Sequence, residues 1–300
     1  MGELTVAVGV PTYNRGSVLL ATLAQILALD RPPDEIIVVD QSDWYPEGVR
    51  GRLEELGAAG VIRYIYQRPP NLPAARNRIL AEARSDVVIF VDDDVELAPG
   101  FVAAHARNYS DDTVWAVAGR VGQRLGWPRR WRPRRWRKEL DYRFFNFEGT
   151  ERRDVGSFPG MNHSVRRRRV LDLGGYDEGY TGVALREEGD LALRILEGRG
   201  RIVFDPDACL LHLSAPAGGC GVAQWGDMSA ALCNLRFVRK HWRRLGWVSV
   251  LEVWHTWRLG VLNREKLKKA AEASKDAVRL ARATLAFFSD RRTGDGRGAR

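Results

Sequence analysis

The sequence has few cysteines and no long hydrophobic run. Its three cysteines, Cys209, Cys220 and Cys233, are odd in number and scattered. We therefore expect neither a disulfide framework nor a zinc site, and a reducing cytoplasm is the expected compartment. The uncharged stretch from Ala208 to Gly226 contains Pro216 and four glycines, so it does not predict a transmembrane helix. The first residues lack the basic and then apolar pattern of a signal peptide. These absences favour a soluble protein, or one peripheral to a membrane.

Internal repeats are also missing, and the composition is that of an ordinary globular protein. Of the 300 residues, 45% are hydrophobic and 28% are charged, so the chain can bury a core. The unusual feature is a net charge of +9, much of it in residues 124–138, which read RLGWPRRWRPRRWRK. Arginine with tryptophan suits contact with an anionic membrane or with nucleic acid. Alternatively, these tryptophans pack on the rest of the domain.

The first hundred residues alternate between β-branched runs and helical patterns. This order predicts an α/β fold, with a parallel sheet covered by helices on both faces. In such sheets ligands bind beyond the carboxyl ends of the strands. The predicted strands are Leu4–Val10, Glu35–Asp40, Val61–Tyr66 and Val87–Val91, and the predicted helices are Ser17–Leu29, Pro46–Leu56 and Leu72–Ala83, the last capped by Asn71.

The remaining chain is less regular. Apolar spacing predicts helices at Val165–Leu173 and Glu187–Leu196 and strands at Val114–Val121 and Arg201–Leu211. Ala215–Gly221 reads APAGGCG, which is typical of a flexible loop. From position 224 to about position 288 the sequence favours helix throughout.

Three carboxylates, Asp92, Asp93 and Asp94, directly follow the apolar run VVIFV. Adjacent carboxylates repel one another, which is costly at the end of a buried strand. A bound Mg²⁺ or Mn²⁺ would relieve that cost, since both ions favour oxygen ligands. The alternative is a solvated turn that caps the next helix. We favour a cation site.

Six short motifs occur in order along the chain: Pro11-Thr12-Tyr13-Asn14-Arg15, the strand ending in Asp40, Asn71 to Asn77 around Arg76, Asp92-Asp93-Asp94, Gly160-Met161-Asn162, and the helix that begins at Glu187 and Glu188. In this order they resemble the motifs of the inverting glycosyltransferase family 2. The resemblance covers about residues 4–215 and implies a GT-A fold, Rossmann-like, with a mainly parallel sheet flanked by helices. It implies a catalytic domain over 1–215, with a nucleotide-binding half (1–100) and an acceptor half (101–215). A helical extension (216–290) and a disordered tail (291–300) would follow.

The resemblance also implies a role for each matching residue. The donor would be a nucleotide-diphosphate sugar, held with Mn²⁺ or Mg²⁺. Asp94 would be the main metal ligand, and His212, beyond the last predicted strand, matches a histidine that completes the metal site in some relatives. The implied donor-binding residues are Pro11, Thr12, Tyr13, Asn14, Arg15, Asp40, Arg76, Asp92 and Asp93.

Glu188 stands where the family usually has the aspartate that acts as general base. An acceptor hydroxyl needs such a carboxylate to remove its proton during attack. Glutamate is one methylene longer than aspartate, and Glu187 beside it is the alternative base. Gly160 and Asn162 would lie on the acceptor side.

Two other functions compete with this one. The basic segment 124–138 suits a nucleic-acid-binding protein, although the acidic edge of the sheet would repel phosphate. A catalytically silent protein that only binds a sugar nucleotide is the second alternative. The acceptor stays open among a glycan, a lipid and a small molecule.

Overall fold

A computed structural model describes residues 4–123, 147–215, 218–219, 222–260 and 275–285. The basic segment 124–138 and the predicted tail 291–300 lie outside these ranges. The chain divides into two compact units. One comprises Met1–Gly179 and Glu188–Gly219, and the other comprises Tyr180–Glu187 and Cys220–Arg300.

The first unit opens with the predicted alternation of strands and helices. β1 pairs in parallel with β2 and β4, and β2 pairs in parallel with β3. Every residue of β1 and β4 is buried, as expected for parallel strands covered on both faces. The elements are β1 (Val6–Thr12), α1 (Ser17–Leu27), β2 (Glu35–Asp40), α2 (Val49–Ala58), β3 (Arg63–Tyr66), α3 (Leu72–Glu82) and β4 (Val87–Val91).

The second half of this unit turns the sheet into a mixed one. β8 lies between β4 and β6 and is antiparallel to both. The strand order is β3-β2-β1-β4-β8-β6-β9-β5, with β7 paired to β9. The elements are β5 (Val95–Leu97), α4 (Phe101–Ala106), a 3₁₀ turn (Arg107–Ser110), β6 (Val114–Gln123), β7 (Arg153–Val155), β8 (Asn162–Arg166), α5 (Arg167–Asp172), α6 (Glu187–Glu197) and β9 (Arg201–His212).

The helix predicted over Val165–Leu173 is wrong at its start, because its first two residues belong to β8. This strand begins with three polar residues, so its sequence does not show the apolar run of a buried strand. Two of its polar side chains are satisfied by His105 on α4. Asn162 Oδ1 lies 3.0 Å from His105 Nε2, and Ser164 Oγ lies 2.9 Å from His105 Nδ1.

A histidine lies at the centre of one of the two apolar layers that flank the sheet. The ring of His163 stacks on Phe158 at a centroid distance of 4.5 Å and on Phe90 at 5.2 Å. Its ring nitrogens contact Pro159 O at 2.9 Å and the Tyr176 hydroxyl at 2.6 Å. This packing connects β4 and β8 with the segment 158–160, which leads into the site.

The second unit contains two helices that are joined at a glycine. α7 (Val222–Leu245) and α8 (Val248–Gly260) are separated at Gly246, which has φ +59°. The prediction of one helical stretch is therefore corrected here, because a left-handed residue ends an α-helix. Residues 275–285 are also helical. Within the described residues, no helix has the length and hydropathy needed to cross a bilayer.

Two buried histidines make the stability of the protein sensitive to pH. Burial lowers the pKa of His105 from 6.5 to about 4, and burial also lowers that of His163 well below 6.5. At a pH between the folded and the unfolded pKa of each histidine, the unfolded chain binds a proton that the folded chain does not. The free energy of unfolding should therefore fall as the pH drops below about 6.5, by up to about 1.4 kcal/mol per pH unit for each histidine.

Urea unfolding of the wild type and of His105→Gln, measured between about pH 7 and about pH 5, checks this slope. The variant should show a shallower dependence on pH, whatever its absolute stability. An equal slope in both proteins would contradict the prediction.

Candidate active site

The turn after β1 is held by the residues that follow β2. Thr12 pairs with Asp40 in the sheet register, so both strands end at the same level. Asn14 has φ 55° and its side-chain oxygen accepts a hydrogen bond from Asp43 N at 2.9 Å. The backbone N–H of Asn14 donates to Ser42 Oγ at 2.8 Å. The turn is thus fixed beside the carboxyl end of β2.

Tyr13 and Asp40, both predicted to bind the donor, lie at this edge. The Tyr13 hydroxyl donates to Asp43 Oδ2 at 2.7 Å, and this bond raises the pKa of the tyrosine. Asp43 also forms an ion pair with Arg68. Asp40 is buried and accepts hydrogen bonds from Ser42 N at 2.9 Å and from the Tyr64 hydroxyl at 3.0 Å.

Sequence reasoning missed Asp43 and Arg68. The polar run QSD directly after Asp40 was a signal for Asp43, but the prediction ended at Asp40. For Arg68 the sequence offered no such signal, since it follows an edge strand. Both side chains join the Tyr13 hydroxyl in one polar group.

The three adjacent carboxylates point to different partners. Asp93 is buried, accepts a hydrogen bond from Thr12 Oγ1 at 2.6 Å, and lies 3.0 Å from Arg15 Nε. Asp94 accepts a hydrogen bond from Ala215 N at 2.8 Å and lies 3.3 Å from Arg15 Nη2. Arg15 therefore supplies positive charge to two of the three carboxylates.

A possible metal-binding group forms from Asp92, Asp94 and His212. β5 and β9 pair Val95 with His212, which brings the histidine beside the carboxylates. His212 Nε2 lies 3.2 Å from Asp94 Oδ1 and 3.7 Å from Asp92 Oδ2. The three ligand atoms all lie within 4.8 Å of one another. Sequence reasoning named Asp94 and His212 as ligands, and the structure adds Asp92 to the group.

The chemistry of this group fits a divalent cation. Asp94 is buried, and its Oδ1 lies 3.2 Å from His212 Nε2, so a carboxylate oxygen and an imidazole nitrogen lie side by side. Two carboxylates and one imidazole are ligands that Mn²⁺ accepts, and the carboxylates also suit Mg²⁺. The residues that are present could therefore hold either ion.

The electrostatics of the group depend on its cationic neighbours. Burial raises the pKa of Asp93 to about 7, against the opposing effects of Arg15 and Thr12. Burial alone would also raise the pKa of Asp94, but His212 and Arg15 outweigh it and the pKa is lowered. Burial would lower the pKa of His212, but Asp94 and Asp92 outweigh it and the pKa is raised. Positive charge at this position therefore stabilises the carboxylates.

Glu188, Gly160 and Arg76 meet at a second place in the site. Arg76 is buried and donates from Nη2 to Gly160 O at 2.8 Å. A Cβ atom added to Gly160 would lie 2.6 Å from Glu188 Oε1 and 3.1 Å from Arg76 Nη2. Glycine is thus the residue that lets Glu188 lie directly over this backbone.

The two candidate bases and Asn162 differ in exposure. Glu188 is half-buried, whereas Glu187 is fully buried. Asn162 is also fully buried, and its amide donates to Arg120 O and Ala208 O, both at 2.9 Å. The side chain of Asn162 therefore contacts the neighbouring strands and, through Oδ1, His105 on α4.

The chain beyond β9 crosses the acidic group. Leu213 N donates to Asp94 O at 2.9 Å, and Arg15 Nη1 donates to Ala215 O at 3.0 Å. Gly219 N then donates to Tyr13 O at 2.8 Å. Gly218 has φ +81°, and a Cβ there would lie 2.4 Å from Asn14 O. The described part of the predicted flexible loop is therefore attached to the β1 turn.

The chain is similar to several known proteins. The sequence profile described as glycosyl transferase family 2 matches residues 7–172, more than half of the chain. A pre-mycofactocin glycosyltransferase of Mycobacterium tuberculosis is 26% identical over 209 residues, which cover 69% of this chain and 42% of the relative. The probable glycosyltransferase YdaM of Bacillus subtilis is 25% identical over 222 residues, or 68% of this chain and 49% of the relative. The chain spans about half the length of these curated relatives.

Two solved structures share the fold. The mannosyltransferase PcManGT from Pyrobaculum calidifontis, solved with GDP-Man and Mn²⁺, matches with a TM-score of 0.57 and 22% identity. That match covers 98% of this chain and 83% of the other. GalNAc-T7, solved with UDP, GalNAc and Mn²⁺, matches with a TM-score of 0.56 and 20% identity over 84% of this chain and 53% of the other.

Arg15 should contribute strongly to stability because it neutralises buried carboxylates. Arg15→Gln should lower the free energy of unfolding by about 3 kcal/mol, since it removes one partner from a buried ion pair. Adding Asp93→Asn should restore part of the loss, because a neutral amide needs no cation. Urea unfolding measures both effects.

The matched control is Arg50→Gln, which removes an exposed ion pair with Glu54 and should cost little. A loss for Arg15→Gln no larger than that of the control would show that Arg15 is not needed to balance the carboxylates.

Proposed function

This chain belongs to glycosyltransferase family 2 and has the GT-A fold, and we propose that it transfers a sugar from a nucleotide-diphosphate donor to an acceptor hydroxyl with inversion. The observation that carries the proposal is the group of Asp92, Asp94 and His212 beside the β1 turn. It lies beyond the carboxyl ends of the strands, where open α/β sheets bind their ligands. Two proteins of the same fold were solved with Mn²⁺ and with GDP-Man or UDP, which supports this donor chemistry.

In the proposed site Asp92, Asp94 and His212 hold Mn²⁺ or Mg²⁺. Such an ion, when bound, supplies positive charge to the diphosphate as the sugar leaves it. The burial of Asp94 supports this assignment, because a buried carboxylate is costly unless positive charge compensates it.

The proposed nucleoside position is the edge formed by Tyr13 and Asp40. The β1 turn is attached to the residues after β2, so it offers a preorganised surface with a partly exposed tyrosine. The donor-binding roles of Arg15 and Asp93 are better described as positioning. Their side chains bond to each other, to Thr12 and to the loop at Ala215, and so they hold the turn and the loop in place.

Glu188 is the proposed general base. It is half-buried and lies over Gly160, whereas Glu187 is fully buried. A base must reach the acceptor hydroxyl, and the partial exposure of Glu188 supports that role over Glu187. Removal of the hydroxyl proton by Glu188 while the oxygen attacks opposite the leaving diphosphate gives inversion at the sugar carbon.

The acceptor is proposed only as a class: a glycan, a lipid or a small molecule. Peripheral contact with an anionic membrane through residues 124–138 stays a prediction. A catalytically silent binder of sugar nucleotides would share the donor site but would not turn the donor over, so binding and turnover are tested separately.

The donor site can be tested by thermal unfolding with UDP, GDP, dTDP and CDP, each with and without Mn²⁺. At about a hundredfold excess over Kd, the matching nucleotide should add about 2.7 kcal/mol, or roughly five to ten degrees in Tm. The shift should require Mn²⁺ and should disappear in Asp94→Asn.

Asp154→Asn is the control for this experiment. Asp154 pairs with Arg201 on an exposed part of the same unit, so the variant should keep the full shift. A Mn²⁺-dependent shift that survives in Asp94→Asn would exclude the proposed ligand set. No shift with any nucleotide would exclude the donor class.

The base is tested with the donor that the binding experiment identifies. Glu188→Gln should lower the rate of nucleoside diphosphate release by about 10²–10⁴-fold, while the Mn²⁺-dependent nucleotide shift remains. Glu197→Gln, an exposed change on the same helix α6, should keep both. Loss of turnover in Glu187→Gln but not in Glu188→Gln would assign the base to Glu187 instead.

A further inference from the structure

The short segment 180–187 interrupts the first unit of the chain and belongs to the second. In the sequence it lies directly before the proposed base. Two of its residues are hydrogen-bonded to α7. Val183 N donates to Ser229 Oγ at 3.3 Å, and Cys233 Sγ donates to Thr181 O at 3.3 Å. The part of the chain that leads to the proposed base is therefore attached to a helix of the second unit.

The backbone of this segment is strained at two residues just before α6. Ala184 has φ 49° and Arg186 has φ 77°, in the left-handed region that glycine adopts freely and other residues rarely adopt. Glu187 N donates to Ala184 O at 3.2 Å, which closes the turn around them. A strained conformation of this kind persists only where the surrounding structure holds it. The contacts of Arg186 should therefore show what holds the turn.

The side chain of Arg186 is fixed by a buried polar network of the second unit. Its Nε donates to Asn234 Oδ1 at 3.0 Å, and its Nη2 lies 3.5 Å from Glu252 Oε2. Both of these partners are 0% exposed. The Thr256 hydroxyl donates to Glu252 O at 2.8 Å and accepts from Asn234 Nδ2 at 2.9 Å, so the amide must turn its oxygen to Arg186. Withdrawing the guanidinium would leave a buried carboxylate without its cation, which is strongly unfavourable.

We propose that Arg186 is a positioning residue for the general base Glu188. Arg186 lies two residues before Glu188, which is the second residue of α6. The left-handed turn at Arg186 sets where α6 begins, and so it sets where the carboxylate of Glu188 lies. The bonds to Asn234 and Glu252 hold that turn. This inference rests on the proposed function, because it concerns the base of that reaction, and a misplacement of about 1 Å can lower a rate about 10²-fold.

The activity test compares three replacements of Arg186, with turnover measured as release of the nucleoside diphosphate. Arg186→Ala loses the anchor but keeps a strained side chain, so the turn should relax and kcat should fall about 10- to 100-fold. The KM for the donor and the Mn²⁺-dependent nucleotide shift should stay at their wild-type values. Arg186→Gly should recover part of kcat, because glycine adopts a positive φ without strain. Arg186→Lys should also recover part, because its ammonium can still pair with Glu252.

The matched control is Arg199→Ala. Arg199 also has a positive φ, 63°, and it is an exposed residue just beyond the other end of α6. Because it follows the helix and does not lead to the base, its replacement should leave kcat unchanged. Glu252→Gln is a second variant, which weakens the anchor without altering the segment 180–187. It should lower kcat and leave the KM for the donor unchanged.

Hydrogen–deuterium exchange of the full chain tests the same inference without any substrate. In Arg186→Ala, peptides that cover residues 184–192 should exchange faster than in the wild type, because the turn and the first hydrogen bonds of α6 should open more often. Peptides that cover residues 193–200 should exchange as in the wild type. Arg199→Ala should leave the exchange of residues 184–192 unchanged.

Two results would overturn the positioning role and leave the proposed transferase function in place. The first is a wild-type kcat together with wild-type exchange over residues 184–192 in Arg186→Ala. The second is a joint loss of kcat and of the nucleotide shift in that variant, with faster exchange throughout the chain, which would assign Arg186 to general stability. A wild type that binds the nucleotide but does not turn the donor over would overturn the proposed function, and this inference with it.

Discussion

The site depends on how the fold accommodates three adjacent carboxylates at the end of the buried strand β4. Asp92, Asp93 and Asp94 repel one another in a poorly hydrated place, and the structure separates them. Asp93 turns to Thr12 and Arg15, whereas Asp92 and Asp94 face His212. One carboxylate therefore anchors the β1 turn, and the other two leave a shared position that favours a cation.

Two arginines extend this electrostatic balance to the rest of the site. Arg15 links the β1 turn, the carboxylates and the loop at Ala215. Arg76 is buried, acts electrostatically on Asp92 and donates to Gly160, over which Glu188 lies. The same two arginines thus lie beside the proposed base and the proposed metal ligands. Replacing either arginine should therefore change the electrostatic environment of both groups.

The second unit has its own constraint, a buried polar network between α7 and α8. Asn234, Glu252 and Thr256 satisfy one another inside the unit, and this leaves the apolar residues of α8 outside. The exposure of Trp254 on α8 is consequently a product of internal hydrogen bonding. In each unit, the placement of a buried carboxylate thus determines which neighbouring groups are exposed.

The sequence by itself determined the alternation of β1 to β4 with α1 to α3, the cap at Asn71 and the acidic edge. These follow from local periodicity and from residues adjacent in the chain. Only the tertiary structure decided that β8, with its polar start, lies between β4 and β6, and that β5 pairs with β9 and so brings His212 beside Asp92 and Asp94. It also decided which face of α8 is buried. Local patterns indicate which positions of a helix or strand are buried. Strand order and long-range hydrogen bonds decide which distant side chains meet.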